Sequence, residues 1–394
     1  MHSVNYKFSP SNDPRLSEAV NLWKSFENTL TNTDKVGLIY HGDMDGLIGA
    51  AYTRRTILKH VDEKMLKVFW IGTEEYDFAS LRHWVAEQRL NKCVFTDISI
   101  ENHLSTLDFV SKTVIDKVFI FDHHVINEDI AKVDTKVIIA NPTPAKLQKG
   151  VTPVPTFLFA YRLAKDNDFN FPDWLLLLAI FSEGVDSFFE SETKLLLHNA
   201  FGIDVQGSVR QCYKNTSLPK ISSFIRAAFS SPEKDNQALQ LIDDVITGKI
   251  QTINQFRLEL SKRFEPISKQ ISKNISEYVD IWKDKIAVEL KDSPIILIPV
   301  DASHAVSGPV ASILRGAYPE KVIITYIKYK DNIIFELRTS NDTHLNLAAI
   351  LGRVASQIEV INYGGHPMAS GALIKEAELK PFVEKLEQEI LVDL

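Results

Sequence analysis

Cysteine is scarce in this sequence, which excludes two common ways of holding a fold together. The 394 residues contain Cys93, Cys212 and no other cysteine, so neither a CxxC pair nor a zinc-type spacing occurs. Two cysteines this far apart give no sign of a disulfide framework, and a reducing compartment is the default expectation.

Long apolar runs are missing as well. The richest run, at positions 174–181, is far shorter than the roughly 20 residues that a membrane-spanning helix needs. The first residues lack the basic start and the apolar stretch of a signal peptide. We therefore expect a soluble, cytoplasmic protein with no membrane partner.

An excess of positive charge is the third absence. Lys and Arg number 44 against 51 Asp and Glu, which gives a formal net charge of −7. This balance argues against a protein that coats long duplex DNA through a broad basic face. It does not exclude phosphate ligands, because bound metal ions would reverse the local field. The composition, with 45% apolar and 24% charged residues, is otherwise that of an ordinary globular protein.

The order of the apolar segments predicts the fold. A chain of 394 residues suggests two or three domains. After a first amphipathic helix, short β-branched or aromatic runs alternate with helical stretches. That alternation is typical of a parallel sheet built from βαβ units, with helices on both faces. The predicted strands lie at positions 36–40, 68–71, 93–95, 118–121 and 137–140.

The second half of the chain is organised differently. Residues 236–285 are predicted to form one or two long helices, with breaks at Gly248 and Pro266. Their apolar faces fit either intrachain packing or a homo-oligomer. Strands are then predicted at 295–300, 321–328 and 332–338, with a hairpin turn at Asp331-Asn332. We expect four segments: an N-terminal helix at 1–34, a parallel-sheet α/β domain at 35–200, a helical connector at 201–290, and a smaller α/β domain at 291–394.

Acidic and histidine side chains follow the predicted strands of the first domain. The first strand is followed by His41-Gly42-Asp43-Met44-Asp45-Gly46, the third by Asp97, and the fourth by Asp122-His123-His124. Ligands bind at the carboxyl ends of the strands in open α/β sheets, so these side chains can converge. So much negative charge is costly without cations. Carboxylates mixed with imidazoles suit Mn²⁺ or Mg²⁺, and Zn²⁺ less well in the absence of thiolates.

Each of these sequence motifs, taken alone, has another interpretation. Asp-x-Asp-Gly after a strand also fits the opening motif of haloacid-dehalogenase-type phosphatases, in which the first aspartate, here Asp43, is the nucleophile. A lone His-His pair at a strand end is more often structural than a ligand. The combination is more specific than its parts, because a strand-terminal Asp97 precedes the Asp-His-His motif on the same predicted sheet.

With these motifs the sequence resembles the DHH phosphoesterase superfamily with a DHHA1 second domain. That group contains RecJ-type exonucleases, nanoRNase/pAp phosphatases and cyclic-dinucleotide phosphodiesterases. The resemblance covers residues 35–190 and 294–375. The matching motifs are His41-Gly42-Asp43-Met44-Asp45-Gly46, Asp97, Asp122-His123-His124, Asp186 within Ser182-Glu183-Gly184-Val185-Asp186, and the GGHxxAxG signature at 364–371.

The resemblance implies a two-metal centre. Asp97 would bridge two Mn²⁺ ions, or Mg²⁺ in their place, and the full set of metal ligands would be His41, Asp43, Asp45, Asp97, Asp122, His123 and Asp186. His124 would face the scissile phosphate, although its role and that of His123 could be exchanged. The residues acting in catalysis would be His124, Asp122 and Asp45. Two adjacent metals can activate a water and stabilise both the attacking and the leaving oxygen.

By the same resemblance, the second domain would bind the substrate. Gly364 and Gly365 would let the backbone approach a phosphate or a base closely, since no side chain intervenes. His366 would contact phosphate from a fixed loop. Arg338 resembles the family's substrate-clamping arginine, with Ser340 beside it, and a guanidinium fork suits bidentate phosphate recognition.

The expected function is hydrolysis of single-stranded or short oligonucleotides to mononucleotides by a metal-activated water. RecJ-type enzymes commonly carry an oligonucleotide-binding barrel as well; we expect no room for one before Leu394, which favours short substrates. Three alternatives stay open: a cyclic dinucleotide or pAp as substrate of the same chemistry, a haloacid-dehalogenase-type phosphatase, and a non-catalytic nucleic-acid-binding protein. The second leaves the DHH and GGH motifs unexplained, and intact metal-ligand positions speak against the third.

Overall fold

The structure is a computed structural model that describes residues 13–72, 78–98, 115–124, 136–143, 154–230, 236–302 and 304–394. The side chains of residues 78–80, 304, 341 and 366 lie outside this description. The chain divides into two compact units, Met1–Glu265 and Pro266–Leu394. The expected connector at 201–290 is therefore shared between the two units.

The first unit is built on a parallel sheet of largely apolar strands, which are β1 (Val36–His41), β2 (Leu66–Ile71), β3 (Lys92–Thr96), β4 (Lys117–Phe121) and β5 (Val137–Ala140). In the described part of the chain the sheet order is β2-β1-β3-β4-β5, and every pairing is parallel. Strands β1 and β3 are buried on both faces, as expected when helices cover a sheet. The predicted α/β class and its parallel sheet are confirmed.

This strand order creates a switch point at the carboxyl end of β1. The chain passes from β1 to its neighbour β2, and then back across β1 to β3 on the other side. The connection after β1 and the connection after β3 therefore lead to opposite sides of the sheet. Such switch points are where open α/β sheets bind ligands. Two predicted site residues lie there, since His41 ends β1 and Asp97 directly follows β3.

Helices connect and cover these strands, and they are α1 (Pro14–Glu27), α2 (Met44–Ile57), α3 (Phe78–Gln88), α4 (Thr156–Asp166), α5 (Asp173–Glu183), α6 (Glu190–Phe201), α7 (Val209–Lys214), α8 (Leu218–Phe229) and α9 (Gln237–Ile246). Helix α1 buries a stripe at helical spacing that includes Leu16, Val20 and Trp23. The ring of Trp23 packs edge-on against Phe119 of β4, with 5.0 Å between ring centroids.

Helix α2 is the central helix of the first unit. Nearly all of its residues are buried, including Arg54. Arg54 and the neighbouring Arg55 both donate to the carboxylate of Asp243 on α9, whose side chain is only 2% exposed. A helix from the expected connector is thus held against the helix that follows the first motif.

The second unit contains a mixed sheet and the helices that cover it, and it includes most of the long helix α10 (Ile253–Val288). Its other elements are β6 (Ile295–Pro299), α11 (His304–Ala317), β7 (Val322–Tyr329), β8 (Asn332–Arg338), α12 (Leu347–Ala355), β9 (Asn362–His366), β10 (Ala369–Lys375) and α13 (Leu379–Asp393). The sheet order is β6-β7-β8-β10-β9; β6 and β7 are parallel, and the remaining pairs are antiparallel. A core that includes Phe335, Leu351 and Phe382 lies on one side of it.

The predicted breaks and turns agree with the structure only in part. The break at Gly248 is confirmed, since α9 ends at Ile246 and Gly248 has a φ of +74°. The break at Pro266 is wrong, because α10 runs through this proline. A proline removes a single helical hydrogen bond, and buried side chains on both sides, such as Phe264 and Ile271, hold the helix in place. The hairpin turn lies one residue earlier than predicted, at 330–331.

Among the described residues, no helix combines the length and the apolar character that crossing a membrane requires. The longest, α10, has 36 residues and carries charged side chains throughout.

Candidate metal centre

The first motif forms a tight turn between β1 and α2. Asp43 is the N-cap of α2, and its Oδ1 accepts a hydrogen bond of 2.9 Å from the Gly46 backbone N–H. Its other oxygen, Oδ2, lies 2.8 Å from Nδ1 of His41. A Cβ at position 46 would lie 2.3 Å from the His41 carbonyl oxygen, so the turn requires a glycine there. The turn brings the His41 and Asp43 side chains together.

Asp45 points away from this pair into the protein. Its side chain is fully buried, and its two oxygens accept backbone hydrogen bonds from Thr156 (2.8 Å) and Phe157 (2.6 Å). These residues begin α4, and the preceding Pro155 makes no side-chain capping bond. Asp45 therefore caps a second helix while lying at the edge of the candidate centre.

Asp97 lies between two imidazoles. Its Oδ1 is 3.1 Å from His123 Nε2, and its Oδ2 is 3.8 Å from His41 Nδ1. The Thr156 hydroxyl also donates to Oδ1, at 3.2 Å. The backbone of Asp97 has a φ of +62°, and its N–H donates to the Phe121 carbonyl oxygen at 2.9 Å. The two oxygens of one carboxylate thus face two different sets of neighbours.

The Asp-His-His motif directly follows β4. His123 is 6% exposed, and besides Asp97 its Nε2 lies 3.5 Å from Asp45 Oδ2. Asp122 is fully buried, and its Oδ1 lies 2.7 Å from Nδ1 of His124. A carboxylate at this ring nitrogen fixes the orientation of the imidazole. Asp122 therefore supports His124, while His123 faces the other carboxylates.

Glu183, the last residue of α5, completes the centre. The described residues contain three groups whose ligand atoms lie within 4.8 Å of one another, namely Asp97-His123-His124, His41-Asp43-Asp97 and Asp45-His123-Glu183. Asp97 and His123 each belong to two of these groups, so the groups overlap. Mixed carboxylate and imidazole donors of this kind fit Mn²⁺ or Mg²⁺, and the overlap offers places for adjacent cations.

The crowding of carboxylates raises two pKa values. Burial, followed by the charges of Glu183 and Asp97, raises the pKa of Asp45 well above its usual range. Burial, followed by the charge of Asp43, raises the pKa of Glu183 to about 8. Without a bound cation, Glu183 therefore holds a proton at neutral pH.

In the Asp97–His123 pair, the pKa of the carboxylate is lowered and the pKa of the imidazole is raised. Burial alone would raise the pKa of Asp97, but hydrogen bonds and charges of His123 and His41 outweigh it and hold this pKa well below its usual value. Burial lowers the pKa of His123, but the hydrogen bond to Asp97 and the surrounding carboxylates prevail and raise it to about 10. The positively charged imidazolium of His123 thus partly neutralises the surrounding carboxylates, as a bound metal ion would.

Five of the seven expected ligands fall in these three groups, and Asp122 and Asp186 are in none of them. The converging residues are His41, Asp43, Asp45, Asp97 and His123. Asp122 contacts His124. Asp186 is held by Arg210, whose Nε and Nη2 lie 2.9 Å and 2.6 Å from its two oxygens.

Glu183 and Thr156 belong to the centre although no sequence motif singles them out. Glu183 lies three residues before Asp186, at the end of the apolar helix α5 and directly before Gly184, whose φ is +69°. Its place at a helix end, within the matched segment, is the signal that could have pointed to it. Thr156 offers no such signal, because its contacts with Asp45 and Asp97 depend on how α4 packs.

In the second unit, the predicted substrate residues lie at one end of the sheet. Ala369 of β10 pairs with Arg338 on one side and with His366 on the other. Arg338 Nη2 lies 2.7 Å from Glu336 Oε2, and its Nη1 donates to the Leu337 carbonyl oxygen. Ser340 is used in a turn, where its hydroxyl donates to the Pro319 carbonyl oxygen at 2.6 Å.

The glycines of the GGH motif lie in a strand. Gly364, Gly365 and the backbone of His366 all belong to β9, so the fixed loop expected to carry His366 is wrong. Gly365 has a φ of +128°, and a Cβ there would lie 2.4 Å from the Ala369 carbonyl oxygen. The close pairing of β9 with β10 explains both the strand and the need for glycine. The side chain of His366 lies outside the described part of the chain.

Comparison with known proteins identifies the second unit. The family described as the DHHA1 domain matches residues 292–391. That range contains Arg338, Ser340 and the GGH motif. A search of curated proteins finds no match to the sequence.

Solved structures share the fold over nearly the whole chain. RecJ of Thermus thermophilus in complex with Mn²⁺ is 16% identical, with a TM-score of 0.59 over 96% of this chain and 55% of that chain. An exonuclease RecJ bound to manganese is 17% identical, with a TM-score of 0.56 over 96% and 98%. The DHH domain of a member of a ribosomal protein family is 16% identical, with a TM-score of 0.56 over 98% and 93%. The chain thus spans little more than half of the Thermus RecJ.

These findings agree with the sheets and motifs described above. The DHHA1 match assigns the second unit by sequence, and the structural likeness extends the shared fold to the parallel sheet that carries the acidic cluster. Residues 292–391 thus match the DHHA1 domain, and the fold of the chain is similar to that of the RecJ and DHH-domain structures.

Proposed function

We propose that this chain is a metal-dependent phosphodiesterase that hydrolyses single-stranded or short oligonucleotides to mononucleotides. One observation carries the proposal: three overlapping groups of carboxylates and imidazoles converge at the switch point beside β1 and β3. The fitting cofactors are two Mn²⁺ ions, with Mg²⁺ as the alternative. When bound, such ions activate a water and neutralise charge on the phosphoryl oxygens.

Each proposed metal position has its own ligand group. His41, Asp43 and Asp97 would hold the first cation, and Asp45, His123 and Glu183 the second. Asp97 is the proposed bridge, because its Oδ2 lies toward His41 and its Oδ1 toward His123. Glu183 thereby takes the place that the resemblance gave to Asp186, which is engaged by Arg210.

His124 is the proposed phosphate-facing residue. Its Nδ1 lies 2.7 Å from the buried Asp122 carboxylate, and its side chain is 20% exposed. With a proton held on Nδ1, a protonated Nε2 can donate to a phosphate oxygen or supply a proton to the leaving oxygen. Asp122 would act through His124 by fixing the position of the ring.

The substrate class rests on charge and on the second unit. A net charge of −7 leaves little basic surface for gripping long nucleic acid, which favours short substrates. The RecJ structures that share the fold include one described as an exonuclease. In the DHHA1 unit, Arg338 and the glycines Gly364 and Gly365 are the proposed substrate contacts, together with His366 and Ser340.

The alternatives differ in how well the site supports them. A cyclic dinucleotide or pAp would use the same centre, so only substrate tests separate these cases. A haloacid-dehalogenase-type reaction is less well supported. It gives no role to the Asp122-His123-His124 motif or to the GGH motif, although His123 meets Asp45 and Glu183 in one group.

Hydrolysis should be measured with Mn²⁺ and with EDTA on short and long single-stranded RNA and DNA, dinucleotides, cyclic dinucleotides and pAp. Asp97→Asn should abolish Mn²⁺-dependent activity, while Asp204→Asn, at an exposed carboxylate, should leave it unchanged. Full activity of Asp97→Asn would refute the metal mechanism. A preference confined to cyclic dinucleotides or pAp would overturn the choice of substrate.

A further inference from the structure

An arginine is fixed beside the candidate metal centre. Arg210 on α7 makes a two-pronged contact with Asp186, a carboxylate with only 4% of its side chain exposed. Its Nη2 also lies 3.5 Å from the carbonyl oxygen of Gly184, the residue after Glu183. The Arg210 side chain itself is 55% exposed. A buried carboxylate thus orients a guanidinium whose other side faces solvent.

An aromatic stack continues from this arginine. Tyr213 lies one turn after Arg210 on α7, and its ring stacks on Phe181 of α5 with 4.1 Å between ring centroids. Phe181 is two residues before Glu183, so the stack lies along the end of α5 that carries the metal-binding carboxylate. The Tyr213 hydroxyl lies 3.2 Å from the Ser222 hydroxyl on α8, which joins the third helix to this surface.

A second arginine follows on α8. Arg226 lies one turn after Ser222 and is partly buried. Burial lowers its pKa, opposed by the charge of the Tyr213 phenol. Within the described ranges, no carboxylate pairs with Arg226. Desolvating a cation without a counterion costs free energy, so this position favours an anion that arrives from outside.

We propose that Arg210, Tyr213 and Arg226 form a subsite for a second phosphate of the substrate, one nucleotide away from the phosphate that is cleaved. This inference rests on the proposed function, because the subsite adjoins the metal centre through Glu183 and Gly184. Two guanidinium groups near one phenol match the charge and the hydrogen-bonding geometry of a phosphodiester. The face of a stacked tyrosine suits contact with the attached nucleoside.

The test compares substrates that have one phosphate with substrates that have two. The dinucleotide ApA has one phosphate, and pApA and ApAp carry a second at either end. With Mn²⁺, Arg226→Gln should lower kcat/KM for pApA, ApAp or both by about tenfold or more, and leave kcat/KM for ApA within about twofold. Arg226→Lys should recover part of the loss, since it keeps the charge but not the fork.

The matched control is Lys220→Gln, which removes one exposed positive charge from the same helix. This variant should change kcat/KM by no more than about twofold for any of the three substrates. Thermal unfolding separates a binding role from a structural one. Because Arg226 is partly buried and pairs with no carboxylate among the residues that the structure describes, Arg226→Gln should melt at the same temperature as the wild type or higher. A clearly lower melting temperature of Arg226→Gln would overturn the proposed subsite. So would an equal loss of kcat/KM for ApA, pApA and ApAp.

Binding without metal keeps this inference distinct from the proposed function. In EDTA, wild-type protein should bind pApA more tightly than Arg226→Gln by a similar factor, measured by calorimetry. If the wild type hydrolyses none of the substrates but binding still depends on Arg226, the proposed function fails and the subsite stands. If hydrolysis proceeds but neither kcat/KM nor binding depends on Arg226, the subsite fails and the function stands.

Discussion

Asp97 combines backbone strain with a central electrostatic position. A φ of +62° is uncommon for a residue other than glycine, and such conformations cost about 1–3 kcal/mol. The strain is sustained by the hydrogen bond from its backbone N–H to Phe121 and by side-chain contacts with His123 and Thr156. Residues held in this way cluster at functional sites. The geometry of this single residue therefore supports its proposed bridging role.

Gly46 gives a direct test of the first turn. Gly46→Ala would place a Cβ about 2.3 Å from the His41 carbonyl oxygen, which is backbone and cannot move aside cheaply. We expect a loss of about 1–3 kcal/mol in the free energy of unfolding and weaker Mn²⁺ binding, because α2 must shift away from β1. Denaturant titration and calorimetry would measure both.

The control for this change is Gly316→Ala. Its Cβ would meet no atom within 4 Å, so it should leave Mn²⁺ binding unchanged and stability equal or higher. If Gly46→Ala matched the wild type in both measurements, the described turn would be incorrect.

The shifted pKa values predict how metal binding depends on pH. Glu183, with its pKa raised to about 8, must lose a proton before it binds a cation, and so must His123, with its pKa raised to about 10. The raised pKa of Asp45 acts in the same direction. Affinity for Mn²⁺ should therefore rise as pH increases from about 6 to about 8. Calorimetry in buffers of different ionisation enthalpy measures the released protons.

The Glu183→Gln variant should bind Mn²⁺ more weakly than the wild type and release fewer protons when the metal binds. Because its pKa is raised, protonated Glu183 adds to the free energy of unfolding of the metal-free protein at low pH. This contribution is lost as the pH rises through about 8. A Mn²⁺ affinity that does not change with pH would contradict these protonation states.

Short motifs were enough to predict some residues of the centre but not others. His41, Asp43 and Asp97 follow strands whose ends meet at a switch point, so their convergence follows from topology. Glu183 and Thr156 reach the centre from helix ends, and nothing in the local sequence determines how α4 and α5 pack there. The packing of these two helices therefore had to be seen in the structure.

At the scale of elements, the joint between α2 and α9 can be tested through one carboxylate. Asp243→Asn would remove the carboxylate that pairs with both Arg54 and Arg55, where the Asp243 side chain is only 2% exposed, and Arg54 would keep only its contact with the exposed Glu63. Breaking a buried pair in this way costs about 3–5 kcal/mol. Asp244→Asn removes a neighbouring carboxylate that pairs with the exposed Lys249 and should cost at most about 1 kcal/mol. Equal losses in denaturant titrations would argue against a buried joint.

Strands were easier to predict than helix breaks. The parallel strands are nearly all apolar and end at recognisable polar residues, so sequence alone locates them. Pro266 shows the limit of local rules, since tertiary packing along α10 outweighs the hydrogen bond that proline removes. The GGH motif shows another limit, because a fixed loop was expected to carry His366 while its backbone pairs with β10 in a strand.

For the whole molecule, Mn²⁺ should stabilise the first unit. A ligand that binds only the folded state at 100 times its dissociation constant adds about 2.7 kcal/mol to the free energy of unfolding. Of the chain's tryptophans, Trp282 lies in the second unit, so in a Trp282→Phe variant the fluorescence reports the first unit alone. Its unfolding midpoint should rise with Mn²⁺.

The same variant carrying Asp43→Asn should show a smaller rise, because Asp43 belongs to a proposed ligand group and its side chain is 41% exposed. If the unfolding midpoint of the Trp282→Phe variant did not change with Mn²⁺, the proposed metal centre would be refuted.

The helix cap formed by Asp45 affects how related sequences should be interpreted. Because this carboxylate fastens the start of α4 through Thr156 and Phe157, selection for folding alone can preserve it after catalysis has been lost in a lineage. An aspartate at this position is therefore poor evidence that a homologue is active. Asp43 caps only its own helix and is partly exposed, so its replacement is the better marker of an inactive descendant. For the same reason, Asp43→Asn is the better choice for trapping an uncleaved substrate in a crystal.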